Sequence, residues 1–400
     1  MISRTSNSVL GRWWWTVDKV ILFFALTLIA FGVLLAGAAT PMVAKHLGIS
    51  KFYFLNRHLL YLIPSLFTLF FVSLFSDSDL KKLSILLFVM SIFTMLLTLT
   101  VGHEIKGARR WVSLFGLSLQ PSEFARPALT IITAWMFAER QKHPEFRGIF
   151  LASIPLFLFI MLLIFQPDIG MIIVTFAVWF AQLFINGLPL IWAIGAVGAG
   201  VGGFILSYLF LPHVAARVDR FLDPAAGDHY QINRSLESFA KGGLFGVGPG
   251  EGITKKHLPD AHSDFVFAVL GEEFGFIVCL FVILLIASLV IYGLIKTVKS
   301  NNLFGMLASA GLVTHFGLQS FINIGSSLHL IPTKGTSLPF LSYGGSSLLS
   351  NSIVLGMLLA LRRNRTISLG IDVVIQDWRD PPPTRTHHPA GLVVDNKKTL

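Results

Sequence analysis

Apolar runs of spanning length recur along the chain at 20–40, 58–75, 83–101, 123–138, 149–165, 170–186, 188–211, 265–293, 303–325 and 346–361. A hydrocarbon core about 30 Å thick needs about 20 apolar residues in a helix, so each run predicts a membrane-spanning helix. The stretch 149–186 is divided at Gln166-Pro167-Asp168. Unbroken, its 38 residues would extend roughly 57 Å, and proline removes a backbone donor and crowds the preceding turn. The predicted fold is an all-α integral membrane protein of about ten transmembrane helices. A large extracytoplasmic loop, 212–264, lies between helices seven and eight.

An even number of spans puts both termini on one side. Lys81, Lys82, Arg140, Lys142, Arg147, Lys296, Lys299, Arg362, Arg363 and Arg365 then share that side, close to helix ends. Basic residues favour the cytoplasmic side, so residues 1–19 form a cytoplasmic segment and 20–365 the membrane domain. Residues 366–400, with Pro381-Pro382-Pro383, form a disordered cytoplasmic tail. The segment before the first run has no small-residue cleavage site, which predicts an uncleaved first helix.

Composition agrees with a bilayer as solvent. The chain is 54% hydrophobic and 13% charged, about half the charge of a soluble domain. Its net charge of +10 would suggest nucleic acid in a soluble protein. Here the basic residues lie between apolar runs, which points to anionic headgroups or a diphosphate and to no nucleic acid partner. Cys279, the one cysteine, excludes an intramolecular disulfide and a multi-cysteine metal site. The outer side still holds Lys106, Arg109, Arg110, Arg217, Arg220, Arg234, Lys255, Lys256 and Lys334. Topology does not require that surplus.

Four polar clusters fall near the outer face. In Lys106–Trp111 and Gln120–Arg126, Pro121 suits a first helical turn, and Glu123 and Arg126 share one helix face as an ion pair or a binding pair. Arg109 and Arg110 are either an interfacial anchor or a bidentate phosphate site. In Leu258–Phe265, Ser263 or Asp264 is either an N-cap or, for Asp264, a general base at the lipid–water boundary. On the same helix Gly271 and Gly275 predict a closely packed neighbouring helix. Glu272 must be protonated, paired with a base or exposed to a polar cavity. Gln166–Asp168 predicts a reversal with Asp168 capping the next helix. Last, Asn323–Gly325 and Pro332–Ser347 predict either a tight interhelical connection or a re-entrant loop in which Lys334 holds an anion.

Lys106–Trp111, Gln120–Glu123, Gln166–Gly170, Leu258–Gly275 and Pro332–Ser347 together resemble the SEDS family (shape, elongation, division, sporulation) of membrane peptidoglycan glycosyltransferases. Pro332-Thr333-Lys334-Gly335 resembles the division branch more than the elongation branch. Asp260 stands where the family commonly has Glu, and Ser263 where it has Thr. The resemblance implies polymerisation of lipid II on the outer face of the bacterial inner membrane, with Asp264 as the catalytic base. It implies substrate-binding roles for Lys106, Arg109, Arg110, Gln120, Glu123, Arg126, His262, Lys334 and Ser342, with Lys255 or Lys256 as further candidates to hold the diphosphate. Its implied partners are the nascent glycan strand, a class B penicillin-binding transpeptidase and other divisome membrane proteins at the septum. A divalent cation, Mg or Mn, could share the diphosphate, but no dedicated ligand set is evident. Rival readings are a lipid II flippase and a non-catalytic divisome scaffold.

Overall fold

The computed structural model describes residues 8–46, 48, 50, 52–105, 108–114, 117–222, 230–300, 302–332 and 335–363. The tail 366–400, Lys106 and Lys334 lie outside them. The chain divides into residues 18–362 and a small unit joining its two ends. In that small unit helix α1 (Val9–Thr16) ends at Thr16, whose Oγ1 accepts from Arg363 Nε at 2.7 Å.

Among the described residues, ten long helices stand where the ten apolar runs lie. They are α2 (Lys19–His46), α3 (Tyr53–Ser73), α4 (Asp77–Val101), α5 (Pro121–Lys142), α6 (Gly148–Phe165), α7 (Ile169–Ile185), α8 (Leu190–Phe210), α11 (Val266–Val298), α12 (Leu303–Ser327) and α13 (Gly345–Arg362). Seven are long and apolar enough to cross a membrane: α2, α3, α4, α6, α8, α11 and α13. α7 is equally apolar but has 17 residues. α5 and α12 bury polar side chains instead, including Glu123 and Arg126 on one and His315, Gln319 and Asn323 on the other. Such groups are tolerated at membrane depth only when they face other helices. α13 packs on α3, α5 and α12, and carries the inner layer of the bundle. At the end remote from the polar loops, Arg362 donates to Ser309 Oγ (3.0 Å), Lys296 O (2.7 Å) and Gly305 O (3.1 Å), binding α11, α12 and α13 together.

Two features depart from the sequence reading. Strands β1 (His103–Ile105), β2 (Ala108–Leu114) and β3 (Leu117–Leu119) form an antiparallel sheet ordered β1-β2-β3, so the mostly helical fold carries a small sheet where only a polar loop was expected. β1 and β3 have three residues each, too few for an alternation to register, and in β2 the adjacent Arg109 and Arg110 interrupt it. The second feature is a break in α11. Gly275 has φ 78° and ψ −178°, a backbone region open to glycine. The expected small-residue face therefore ends at Gly271.

The loop 212–264 folds against that break. It contains α9 (Pro212–Leu222), α10 (Tyr230–Gly242) and a 3-10 turn, Thr254–His257. α10 is the close neighbour that Gly271 permits: a side chain at Gly271 would strike the Phe239 ring, and one at Gly242 the carbonyl of Gly271. Across the break, Val247 and Gly248 N–H donate to Glu272 O and Glu273 O (both 3.0 Å). Phe276 and Ile277 N–H donate to Gly243 O (2.9 Å) and Leu244 O (3.2 Å). Helical bonds lost at Gly275 are thus replaced by bonds to the glycine-rich segment, each contributing about 1 kcal/mol net.

Candidate functional site

Residues Leu258–Phe265 form a turn and not the first turn of α11, whose N-cap is Phe265 with no side-chain cap. The N-cap reading of Ser263 and Asp264 therefore fails. Asp260 takes a left-handed φ of 55°. Its carbonyl accepts from the amides of Ser263 and Asp264 (both 3.0 Å) and of Phe265 (3.3 Å). One acceptor closing three amides makes a compact knot, and it leaves the Asp264 side chain outside the helix.

The loop before α13 is laced onto this knot. Tyr343 N–H donates to His262 O at 2.9 Å. Ser342 Oγ donates to Ser263 O at 2.5 Å and accepts from Leu338 N–H at 2.7 Å. From α12, Asn323 Nδ2 donates to both Asp264 O (2.9 Å) and Thr336 O (2.5 Å). Gln319 Nε2 donates to Ser337 O at 3.1 Å. Gly335 closes the arrangement, since a Cβ there would lie 2.8 Å from Asp264 Oδ2. Asp264, His262 and Ser342 are brought together.

Gln120 reaches the same loop through its backbone. Its N–H donates to Ser346 Oγ at 2.9 Å, and that hydroxyl donates to Ser118 O at 3.2 Å. Ser350 Oγ donates to Glu123 O at 2.6 Å, fixing the start of α5 to α13. Glu123 and Arg126 form a buried ion pair on α5. Arg126 Nε and Nη1 have no hydrogen-bond partner. With Thr133, Gln182 and His315, Arg126 lines a cavity of about 10 Å³, room for about one water.

Two other predicted cations, Arg110 and Lys255, are held in structural contacts. Arg110, on β2, donates through Nε to Gln166 O (2.7 Å) and through Nη2 to Pro167 O (2.5 Å). Its Nη1 lies 3.3 Å from Asp168 Oδ2. The guanidinium clasps the hairpin to the α6–α7 reversal, where Asp168 also caps α7 by accepting from Met171 N–H at 3.2 Å. Lys255 is buried against Glu273 and donates to Ala38 O at 2.9 Å. Glu272 is buried in a backbone cradle that the sequence reading did not include: its carboxylate accepts from the amides of Thr254 (2.6 Å) and Lys255 (2.9 Å). Arg109 stays exposed, 3.6 Å from an exposed Glu104. Among the described residues, no group of three or more His, Cys, Asp or Glu comes together to hold a metal.

The arrangement therefore sets Asp264 where the turn 258–265, the loop 335–345 and helix α12 meet. Comparison with known proteins decides its kinship: the model of the FtsW/RodA/SpoVE family, described as cell cycle proteins, matches residues 18–367. The chain belongs to the FtsW/RodA/SpoVE family.

A relative from Caulobacter vibrioides, named a probable peptidoglycan glycosyltransferase FtsW, is 40% identical over 92% of this chain and 95% of its own. A Coxiella burnetii protein of the same name is 35% identical over 87% of this chain and 96% of its own. Among solved structures, a chain from a peptidoglycan synthase complex that coordinates polymerization and crosslinking aligns with a TM-score of 0.72. It is 26% identical, and the match covers 86% of this chain and 97% of that one. The rod shape determining protein RodA of Thermus thermophilus aligns with a TM-score of 0.64 at 27% identity, covering 87% and 97%. These matches make the chain a multi-pass membrane protein of the SEDS type.

Sequence reasoning missed an aromatic group beside the turn that carries Asp264. The rings of Phe54 and His262 lie 5.3 Å apart, those of Phe54 and Tyr343 5.3 Å, and those of His262 and Tyr343 5.5 Å. Burial pushes the Tyr343 phenol up to about 12, against the opposing charge of Arg57. The signal available was the Tyr-Phe-x-x-Arg-His run opening α3, which reads as an ordinary interfacial belt.

Proposed function

We propose that this chain is a peptidoglycan glycosyltransferase that polymerises lipid II during septal wall synthesis, with Asp264 as its general base. The observation that carries this reading is the partly buried Asp264 with its carboxylate beside Gly335, in a chain 40% identical to a probable peptidoglycan glycosyltransferase. The proposed orientation puts the loops around Asp264 on the outer face and both termini in the cytoplasm.

In the proposed reaction a sugar hydroxyl of one lipid II attacks the anomeric carbon of the growing, lipid-linked strand. The new C–O bond forms as the bond to the diphosphate breaks, and the electron pair leaves with undecaprenyl diphosphate. Asp264 accepts the hydroxyl proton, a role worth about 10²–10⁴-fold in rate. Direct displacement inverts the anomeric centre, turning an α-linked diphosphate into a β-linked polymer. Fixed cations stabilise the negative charge on the leaving group. With Arg110, Arg126 and Lys255 held in structural pairs, Lys106, Lys334, Arg109 and Lys256 remain from the sequence candidates. A class B penicillin-binding protein is the proposed partner, supported by the match to a complex that couples polymerization to crosslinking.

Lipid II flipping is the second reading, favoured by the buried polar group of Arg126, Gln182 and His315 within the bundle. A cavity for about one water is far smaller than a disaccharide–peptide headgroup, which supports the enzyme instead. Purified protein in liposomes with labelled lipid II tests this directly. Glycan chains are expected; headgroup translocation without chains would replace the enzyme by the flippase.

A further inference from the structure

The pairing of Arg110, Arg126 and Lys255 narrows the set of cations that could meet the diphosphate, and α3 carries a further one that the sequence motifs do not include. Arg57 sits four residues past the first residue of α3, about 6 Å along its axis, within the first turns of the helix. Its guanidinium carbon lies 5.3 Å from the Tyr53 ring centroid, a cation–π contact that holds the fork in place. On the neighbouring turn Phe54 packs against both His262 and Tyr343. Tyr343 is bonded through its backbone to His262, two residues before Asp264. Arg57, Phe54, His262 and Tyr343 are all half-buried, so ring faces and a charge stay accessible beside the turn that carries Asp264.

We propose that Arg57, together with the ring faces of His262 and Tyr343, binds the diphosphate–sugar junction of a lipid-linked saccharide. Arginine presents paired N–H donors that match a phosphate. Aromatic faces suit the apolar face of a pyranose, and α3 makes the platform rigid because Gly345 lets α13 approach Tyr61 closely. This inference rests on the polymerase reading and names a substrate contact within it.

The test is lipid II titration of the full chain in liposomes. Arg57→Gln should raise KM by roughly tenfold or more, the scale of a lost charged hydrogen bond, with kcat within about threefold of wild type. Arg57→Lys, which keeps the charge and loses the fork, should fall between the two. An Arg57→Gln protein that is inserted and retains the wild-type KM overturns the proposal. If Arg57→Gln fails to insert, the binding of undecaprenyl diphosphate to Arg57→Lys is compared with wild type. Weaker binding supports the proposal, and equal binding overturns it. A wild-type protein that makes no polymer sinks the enzyme reading alone, since the same binding comparison still decides Arg57.

Discussion

The Asp264 carboxylate rests against Gly335, where a Cβ would lie 2.8 Å from Oδ2. The contact is with the end of a flexible side chain, so Gly335→Ala should be tolerated by the fold but not by the carboxylate's position. Thermal stability should change by less than about 1 kcal/mol, while kcat falls at least about tenfold, since small misplacements are costly in rate. Unchanged turnover in this variant would remove Gly335 from the site.

Arg110 is held in a clasp between the hairpin and the α6–α7 reversal. Arg110→Gln should loosen the hairpin from the α6–α7 reversal. The cost is about 1–3 kcal/mol for a broken, partly buried charged contact, seen as a lower Tm and faster proteolysis within 103–119. KM for lipid II should stay near wild type in the folded fraction. A large KM rise without loss of stability would restore the phosphate role.

Lys255 and Glu273 form a buried pair, and removing one partner leaves a charge without compensation. Lys255→Met alone should cost about 3–5 kcal/mol, whereas Lys255→Met with Glu273→Leu should recover much of it, as apolar replacements of buried pairs often do. Tm of the two variants in the same detergent checks this. Equal destabilisation in both would show that the 3-10 turn depends on the pair itself.

Tyr343 has a folded-state pKa raised to about 12 by burial, above the ordinary phenol value of about 10. Its contribution to stability is therefore complete below about pH 10 and is lost as pH rises toward 12. Tyr343→Phe should flatten stability across that interval, and ultraviolet titration should lose one late-forming phenolate. A phenolate formed near pH 10 and absent from the variant contradicts the buried environment.

The helices were legible because hydropathy is a local property: ten runs predicted ten long helices. Asp264, His262 and Ser342 were legible as motif, and the fold joins them through backbone bonds between 258–265 and 335–345. What stayed hidden depends on distant partners. The Arg110 contacts lie 56 and 57 residues away, and Lys255 meets Ala38 across 217, so no spacing rule could distinguish these cations from free ones. Glu123 and Arg126, three residues apart, were legible as a pair. Gly275 misled for a different reason. A glycine four residues after another fits a smooth helix face and a break equally well, and only the packing of 243–248 selects the break.

The most direct test is the rate of glycan synthesis by Asp264→Asn, purified with its crosslinking partner and saturated with lipid II. The variant keeps the size and polarity of the side chain but cannot take a proton. A fall of about 10²-fold or more, on the scale of general-base catalysis, with lipid II binding intact is the expected result. Turnover near that of the wild type would contradict the assignment.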